Sequence, residues 1–217
     1  MIVERSEPVT LVGGAQLGPD DLNIAMGIAP TVVAADGGAD HLLAANLVPT
    51  AIFGDLDSIS QSAKTQYADV LHRIEEQDTT DLDKALRHIK APVVVGVGFI
   101  GNRLDHTFAA LHTALMHIDR PIVLLGSDDA VFVFKDRRIV LSLPRSTPLA
   151  VLPLVKSEVS SRGLKWELDR SELIMGAAIS SSNQTAAPDV RIHAEGAVAI
   201  TLPRDQLRAA IDAVRAK

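Results

Sequence analysis

Two aspartates separated by one residue, Asp55 and Asp57, offer the clearest chemistry in the sequence. They follow the apolar residues 51–53 and Gly54. The apolar run predicts the end of a buried strand, and the glycine permits a tight turn there. In extended backbone the two carboxylates leave the same face, where they repel each other unless a cation lies between them. Such oxygens suit Mg²⁺, which takes one or two protein carboxylates together with phosphate oxygens. An acidic turn without a ligand is the alternative for so short a motif.

Asp36 occupies a similar position in the chain. It follows the apolar run 31–35, and Gly37 and Gly38 lead from it into the helical stretch 39–45. In an open parallel sheet, the carboxyl ends of the strands border the crevice where ligands bind. Asp36 is therefore a candidate for the same site, with a helix-capping role as the alternative.

A third acidic segment, residues 77–84, leads into a predicted helix and includes its first turn. Thr79 or Thr80 can cap this helix, and Asp81 falls in its first turn, where negative charge is favoured. Lys84 lies one turn later on the same helix face. The pattern indicates either a surface ion pair or a phosphate-binding lysine beside a metal-binding carboxylate.

Arg103 and Asp105 mark a fourth strand end. They follow the strand-like run 92–97 and a glycine-containing loop, and they precede an apolar helix predicted over 107–116. The planar guanidinium of Arg103 suits a phosphate group. Acids and cations at four strand ends favour a metal–phosphate site over a set of unrelated acids.

These residues must be positioned by an α/β fold in the first half of the chain. Strands alternate with helices up to a boundary near residue 127, which predicts a mostly parallel sheet flanked by helices. Beyond it, alternating apolar residues predict an all-β sandwich or roll. We expect strands at 131–135, 138–143, 149–155 and 163–168, a hairpin of 190–193 and 197–202 joined across Glu195-Gly196, and a terminal helix within 204–217. The predicted domains are 1–126, an α/β catalytic domain that binds nucleotide and metal, and 127–217, a β-rich domain with the terminal helix.

Composition narrows the class of protein. The 217 residues are 47% hydrophobic and 22% charged, with a net charge of −6 and no cysteine. The negative charge argues against a broad nucleic-acid-binding face, and the lack of cysteine excludes disulfides and thiolate metal sites. The N-terminus carries acids and no apolar signal core, and the longest apolar stretch, 91–100, is too short to span a bilayer. We expect a cytoplasmic protein that does not contact membrane.

Common nucleotide-binding motifs are missing from the sequence. Neither a Walker loop nor a GxGxxG fingerprint occurs, and no serine–histidine pair lies at a glycine elbow. The residues alone leave three classes open. These are a phosphoryl or diphosphoryl transferase, a metal-dependent phosphohydrolase or nucleotidyltransferase, and a nucleotide-binding sensor without activity.

Taken together, the motifs resemble those of the thiamine pyrophosphokinases over about residues 9–202, and they occur in the same order. The motifs are Ala35-Asp36-Gly37-Gly38, Gly54-Asp55-Leu56-Asp57-Ser58, Asp78-Thr79-Thr80-Asp81 with Lys84, Gly101-Asn102-Arg103-Leu104-Asp105-His106, Gly163-Leu164-Lys165-Trp166 and Ser182-Asn183. The chain departs from the family in its terminal helix, for which dimer packing and a solvated helix are both open.

The resemblance implies transfer of a diphosphoryl group from ATP to the hydroxyl of thiamine, giving thiamine diphosphate and AMP. It also implies Mg²⁺ and a homodimer whose site combines the α/β domain of one subunit with the β domain of the other. The β domain would therefore serve thiamine binding and dimerisation.

The resemblance also assigns residues to roles. Catalytic roles go to Asp55, Asp57, Asp81, Asp105, Lys84 and Arg103, and Asp55, Asp57 and Asp81 would hold the metal. ATP would contact Asp36, Gly37, Gly38, Thr80 and Arg103. Thiamine would contact Gln77, Ser182, Asn183 and Trp166. Asp81 and Asp105 remain alternatives for the group that accepts the hydroxyl proton.

Overall fold

The structure is a computed structural model that describes residues 1–101 and 103–216. Asn102, part of one motif named above, lies outside the described residues. The chain divides into two compact units, Met1–Thr113 with Leu124–Ser127, and Ala114–Val123 with Asp128–Lys217. The segment Ala114–Val123, which the sequence placed in the first domain, belongs to the second unit. The functional division into a catalytic and a thiamine-binding domain stays a prediction.

The first unit alternates short strands with helices. Its strands are β1 (Val3–Glu4), β2 (Val9–Val12), β3 (Thr31–Ala35), β4 (Ile52–Gly54), β5 (Leu71–Arg73), β6 (Ile89–Lys90) and β7 (Val94–Val97). Its helices are α1 (Asp21–Met26), α2 (Gly38–Ala44), α3 (Gln61–Gln66), α4 (Asp81–His88) and α5 (Leu104–Met116), the last turn of α5 belonging to the second unit. A 3₁₀ turn, Ala68–Val70, precedes β5.

Strand pairing in this unit is parallel. β3, β4 and β5 lie side by side in that order, β2 pairs with β7, and β1 pairs with β6. All residues of β2, β3, β4 and β7 are buried. Parallel strands covered on both faces appear in a sequence as continuous apolar runs, which is why these strands were predictable. Their carboxyl ends, where the candidate residues lie, share one edge of each sheet.

The second unit is built from antiparallel strands. They are β9 (Asp129–Ser142), β10 (Pro148–Pro153), β11 (Ser157–Arg162), β12 (Ser171–Leu173), β13 (Ser180–Gln184) and β14 (Asp189–Pro203). The residues of β8 (Ile122–Leu125) are divided between the two units. β14 pairs with β9 along its length, with β11 over its first half and with β10 over its second half. The single strand β14 therefore pairs with both β11 and β10, as in a β-roll. The predicted fold class is confirmed.

Two predicted turns are instead irregularities inside long strands. The expected break at Asp136-Arg137 lies within β9, and the expected hairpin turn at Glu195-Gly196 lies within β14. The register between the two strands shifts between Ala194 and Ala197, and the Gly196 N–H donates to Asp136 Oδ1 at 2.7 Å. This is a β-bulge, which bends a strand without ending it. The predictions of two separate strands and of a hairpin were wrong here.

The segment 163–168 is also not the strand that was predicted. It contributes one isolated bridge, Leu164 to Thr185, and the Glu167 carboxylate accepts from the Gly163 N–H at 2.7 Å. This side chain folds the segment into a turn. The polar cluster that follows it in sequence forms β13.

The terminal helix α6 (Leu207–Arg215) follows a 3₁₀ turn, Arg204–Gln206, and packs on β9 within the second unit. It buries Leu207, Ala210, Ile211, Ala213 and Val214. Arg137 donates to the carbonyl oxygens of Ala216 at 2.5 Å and Ala213 at 3.4 Å, which satisfies the end of the helix. The helix is thus part of the core of this unit and is not a solvated tail. None of the described helices is long and apolar enough to cross a membrane.

Candidate active site

Three carboxylates converge at the carboxyl edge of β3 and β4. Asp36 follows β3, Asp55 and Asp57 follow β4, and one oxygen from each lies within 4.8 Å of the others. Asp36 is buried, Asp55 is half-buried and Asp57 is exposed. The group therefore reaches from the interior to the surface, as a site for a hydrated cation requires.

Asp36 is held in an uncommon conformation at the buried end of this cluster. Its φ is 42°, and its backbone N–H donates to the Phe53 carbonyl oxygen at 2.7 Å. Gly54, with φ 152°, faces it closely, since a Cβ on Gly54 would lie 2.9 Å from Asp36 Cβ. Within the described part of the chain, Asp36 Oδ1 is buried and has no hydrogen-bond partner. A buried oxygen without a partner is costly, and a cation would satisfy it.

Asp55 is oriented from three sides. Its Oδ1 accepts from the Asp57 N–H at 3.2 Å, and its Oδ2 accepts from Gln77 Nε2 at 2.9 Å. Lys84 Nζ lies 3.5 Å from the same Oδ2. The Gln77 hydrogen bond, then the Asp57 N–H and the charge of Lys84, lower the pKa of Asp55. These contacts orient the carboxylate and favour its ionised form.

Helix α4 supplies Asp81 and Lys84. Thr80 caps the helix, since its hydroxyl accepts from the Asp83 N–H at 3.2 Å, and it also contacts the Thr113 hydroxyl at 3.0 Å. Lys84 Nζ is 3.2 Å from Asp81 Oδ1, so one buried ammonium connects Asp81 with Asp55. Of the two alternatives for this pair, a simple surface ion pair does not fit, because the Lys84 side chain is buried and also faces Asp55.

Burial and charge shift the pKa values of the two buried groups upward for different reasons. Burial, then the negative charge of Asp81 and of the other two acids, raises the pKa of Asp36. Burial disfavours the Lys84 ammonium, but its hydrogen bond and ion pair with Asp81 and the charge of Asp55 outweigh this and raise its pKa. The site thus concentrates negative charge. Among the residues described, Lys84 is the one buried cation that offsets it.

Arg103 and Asp105 form an exposed pair. Arg103 donates to Asp105 through Nε at 3.2 Å and Nη2 at 2.5 Å, and this hydrogen bond lowers the pKa of Asp105. The described contacts of Asp105 are with its own segment, and neither Asp105 nor Asp81 belongs to the three-carboxylate group. Their roles as catalytic and metal-binding residues stay predictions.

Glycines let the strand-end loops pack closely around the cluster. A Cβ on Gly38 would lie 2.0 Å from the Val12 carbonyl oxygen, and a Cβ on Gly13 would lie 2.5 Å from the Gly98 carbonyl oxygen. Gly14 and Gly37 also meet, with a Cβ on Gly37 3.6 Å from Gly14 Cα. Backbone from three strand ends therefore packs closely at one edge, at a distance that a side chain at Gly13 or Gly38 would not allow.

In the second unit, Asn183 and Trp166 are connected. Asn183 Nδ2 donates to the Trp166 carbonyl oxygen at 2.7 Å, and the Trp166 N–H donates to Asn183 Oδ1 at 3.2 Å. Asn183 is buried, whereas 54% of Trp166 is exposed and Lys165 Nζ lies 4.5 Å from its ring centroid. Ser182 is exposed on β13. The amide of Asn183 thus holds the backbone that presents the indole.

The sequence placed Asp36 at the same site as Asp55 and Asp57, but it did not single out Asp36 as the third carboxylate of the group. Its type and position at a strand end were recognised, but it was assigned to ATP and Asp81 was placed in the metal group instead. Strand order decides which strand ends touch, and no residue pattern encodes that order directly. The double glycine after Asp36 was the available signal for a crowded strand end.

Two family models match the chain. They are the catalytic domain of thiamin pyrophosphokinase over residues 25–124 and the vitamin B1 binding domain of thiamin pyrophosphokinase over residues 140–198. The first covers the three-carboxylate group, and the second covers Trp166 and Asn183.

Relatives in other organisms agree with these matches. Thiamin pyrophosphokinase 1 of Caenorhabditis elegans is 30% identical over 177 residues, 73% of this chain and 72% of that protein. Thiamine pyrophosphokinase 1 of Oryza sativa is 29% identical over 163 residues, 66% of this chain, and the alignment spans 62% of the rice protein. The fold resembles that of thiamin pyrophosphokinase from Candida albicans, with a TM-score of 0.80 and 19% identity over 93% of this chain and 92% of that one. The chain belongs to the thiamin pyrophosphokinase family.

Proposed function

We propose that this protein transfers the terminal diphosphoryl group of ATP to the hydroxyl of thiamine, producing thiamine diphosphate and AMP. The observation that carries the proposal is the group of Asp36, Asp55 and Asp57 beside the Asp81–Lys84 pair, in a chain that matches both domains of the family. A concentration of acids with a fixed ammonium suits a phosphate chain and its cation.

The donor set fits Mg²⁺. Its oxygens are carboxylates, and Asp36 Oδ1 is buried without a hydrogen-bond partner among the described residues. Asp36, Asp55 and Asp57 would hold the ion, and the sequence-based assignment adds Asp81. When bound, Mg²⁺ neutralises phosphate charge.

The residues of the chain then have distinct tasks in the reaction. The thiamine hydroxyl oxygen forms a bond to the β-phosphorus of ATP, and the bond from that phosphorus to the oxygen bridging to the α-phosphorus breaks, releasing AMP. Lys84 and Arg103 stabilise the phosphate charge. A carboxylate accepts the hydroxyl proton, and the Arg103 hydrogen bond that lowers the pKa of Asp105 weakens Asp105 in that role.

Substrate contacts follow the family motifs. Asp36, Gly37, Gly38, Thr80 and Arg103 would border ATP, and Gln77, Ser182, Asn183 and Trp166 would border thiamine. The exposed indole of Trp166, held through Asn183, offers a flat surface for an aromatic ring.

We further propose a cytoplasmic homodimer. The exposed apolar side chains Leu104 and Phe108, neighbours on one face of α5, support a partner surface.

A product assay tests the proposed reaction. Purified protein with ATP, thiamine and MgCl₂ should form AMP and thiamine diphosphate in equal amounts, separated by ion-exchange chromatography. ADP as the product would indicate transfer of a single phosphoryl group. Pyrophosphate or orthophosphate release without thiamine would indicate a nucleotidyltransferase or phosphohydrolase, and thiamine binding without turnover would indicate a sensor.

Asp57→Ala tests whether the carboxylate group carries the reaction. We expect the rate of AMP formation to fall by about a hundredfold or more, because charge neutralisation at the phosphates is lost. Asp69→Ala is the matched control, since Asp69 is an exposed acid in the 3₁₀ turn before β5. Equal rates for both variants would remove Asp57 from the site.

A further inference from the structure

Gln77 is assigned to thiamine by the family motifs, but its contact in the structure is with a carboxylate. Its Nε2 donates to Asp55 Oδ2 at 2.9 Å. Gln77 lies in the segment before α4, three residues ahead of the Thr80 cap, and its side chain is exposed. The contact therefore joins the loop entering α4 to the loop leaving β4.

The remaining contacts of Asp55 show what this hydrogen bond adds. The Asp57 N–H donates to Asp55 Oδ1 at 3.2 Å. Lys84 Nζ lies 3.5 Å from Asp55 Oδ2, farther than Gln77 Nε2 does. Of these three contacts of the Asp55 carboxylate, the hydrogen bond from the Gln77 amide is thus the shortest. A neutral amide orients a carboxylate without cancelling its charge, which a second lysine would do.

We propose that Gln77 is a positioning residue for Asp55, orienting its carboxylate toward the divalent cation in addition to any contact with thiamine. This rests on the proposed function, because it assumes that Asp55 is a metal ligand. Groups that hydrogen-bond a ligating carboxylate fix its orientation, and their loss weakens metal binding even though they never touch the ion.

The position of Gln77 also couples thiamine binding to cation binding. If the Gln77 amide turns to a thiamine ring, it leaves Asp55 Oδ2, so thiamine and the cation compete for the orientation of one side chain. The affinity for the cation should then depend on thiamine in the wild-type protein and become independent of it when the amide is removed. Reciprocity follows from linkage, since each ligand must change the affinity of the other by the same factor.

The test measures Mn²⁺ binding by electron paramagnetic resonance on the full chain, with no nucleotide present. Gln77→Met keeps the length of the side chain and removes the donor. We expect Mn²⁺ affinity to fall by about tenfold, at the low end of the range for such outer contacts. Gln66→Met on α3 is the matched control, because Gln66 is an exposed glutamine on a helix that contributes none of the three carboxylates. Circular dichroism checks that both variants fold.

Each result decides the inference. Weaker Mn²⁺ binding in Gln77→Met alone, with loss of the thiamine dependence, supports it. Unchanged or tighter binding overturns it, as does an absence of Mn²⁺ binding to the wild-type protein. A raised KM for thiamine with unchanged Mn²⁺ affinity would assign Gln77 to the substrate only. Formation of AMP by the wild-type protein tests the transferase separately, so a failure of this inference can be distinguished from a failure of the proposed function.

Discussion

Asp36 shows how one residue can be unfavourable for folding and suited to a ligand. Its carboxylate is buried among like charges, has one oxygen without a partner among the described residues, and sits at φ 42°. Such a residue costs stability unless a cation compensates it. A role in ligand binding therefore explains Asp36 better than helix capping does, because the N-terminus of α2 has no side-chain cap.

Asp36→Asn should stabilise the metal-free protein by about 1 kcal/mol, because the change removes a buried charge while asparagine tolerates positive φ. Burial and neighbouring acids raise the pKa of Asp36 in the folded state above its unfolded value. The wild-type protein therefore loses stability as pH rises from the unfolded pKa through the folded one. The advantage of the variant should be small in acid, where Asp36 is protonated in both states, and grow toward neutral pH.

Thermal unfolding with and without MgCl₂ measures both effects. Mg²⁺ should raise the midpoint of the wild-type protein and raise that of Asp36→Asn less, because one ligand is gone. Asp69→Asn serves as a control for removing any acid. A variant that is less stable without metal, or that gains as much from Mg²⁺ as the wild type, would contradict this account of Asp36.

At the scale of elements, apolar runs and strand ends were predictable and bulges were not. The buried strands of the first unit appear as continuous apolar segments, and Thr80 was correctly among the predicted caps of α4. Glu195-Gly196 has the composition of a hairpin turn, yet it bends a strand that continues to Pro203. A turn and a bulge use the same residues, and only pairing with β9, which is distant in sequence, decides between them.

The double glycine at the start of α2 gives an element-scale prediction. Gly38→Ala would place a Cβ 2.0 Å from the Val12 carbonyl oxygen, so α2 must move away from the end of β2. We expect a loss of about 2 kcal/mol or more in the free energy of unfolding. Gly37→Ala should change it by about 0.5 kcal/mol at most, since its Cβ would lie 3.6 Å from the nearest atom and its φ is −53°.

Urea unfolding at one fixed protein concentration compares these two variants. The pair is informative because both replace glycine by alanine in consecutive positions, so changes in the unfolded chain are similar. Equal stability of the two would mean that the close approach of α2 to β2 is not required. Loss of Mg²⁺-dependent stabilisation in Gly38→Ala would further indicate that the position of α2 controls Asp36.

At the scale of the whole molecule, the fold class and family could be inferred from the sequence because several short motifs keep their order over both halves. The choice of Asp36 as the third carboxylate of the group and the Asn183–Trp166 contact could not, since both depend on pairing between distant segments. The motifs predicted which residues form the site. The structure shows which of them contact each other: Gln77 donates to Asp55, and Asn183 donates to the Trp166 carbonyl oxygen.

The proposed dimer leads to the last prediction. If each site combines the first unit of one subunit with the second unit of its partner, then two inactive variants should complement each other. Asp57→Ala disables the first unit, and Ser182→Ala with Trp166→Ala alters two exposed side chains of the second. In a heterodimer of the two variants, one site carries every substitution and the other carries none. With two-fold symmetry, the heterodimer should have about half of the wild-type rate of AMP formation.

Co-expression with two different affinity tags isolates the heterodimer, and light scattering on a size-exclusion column gives its mass. A monomer in solution would refute the dimer directly. A heterodimer as inactive as both parents would show that each subunit holds a complete site, because the two sets of substitutions would then disable both. The proposed transferase reaction survives either result, since AMP formation by the wild-type protein is measured independently, and what changes is only which subunit supplies Ser182 and Trp166.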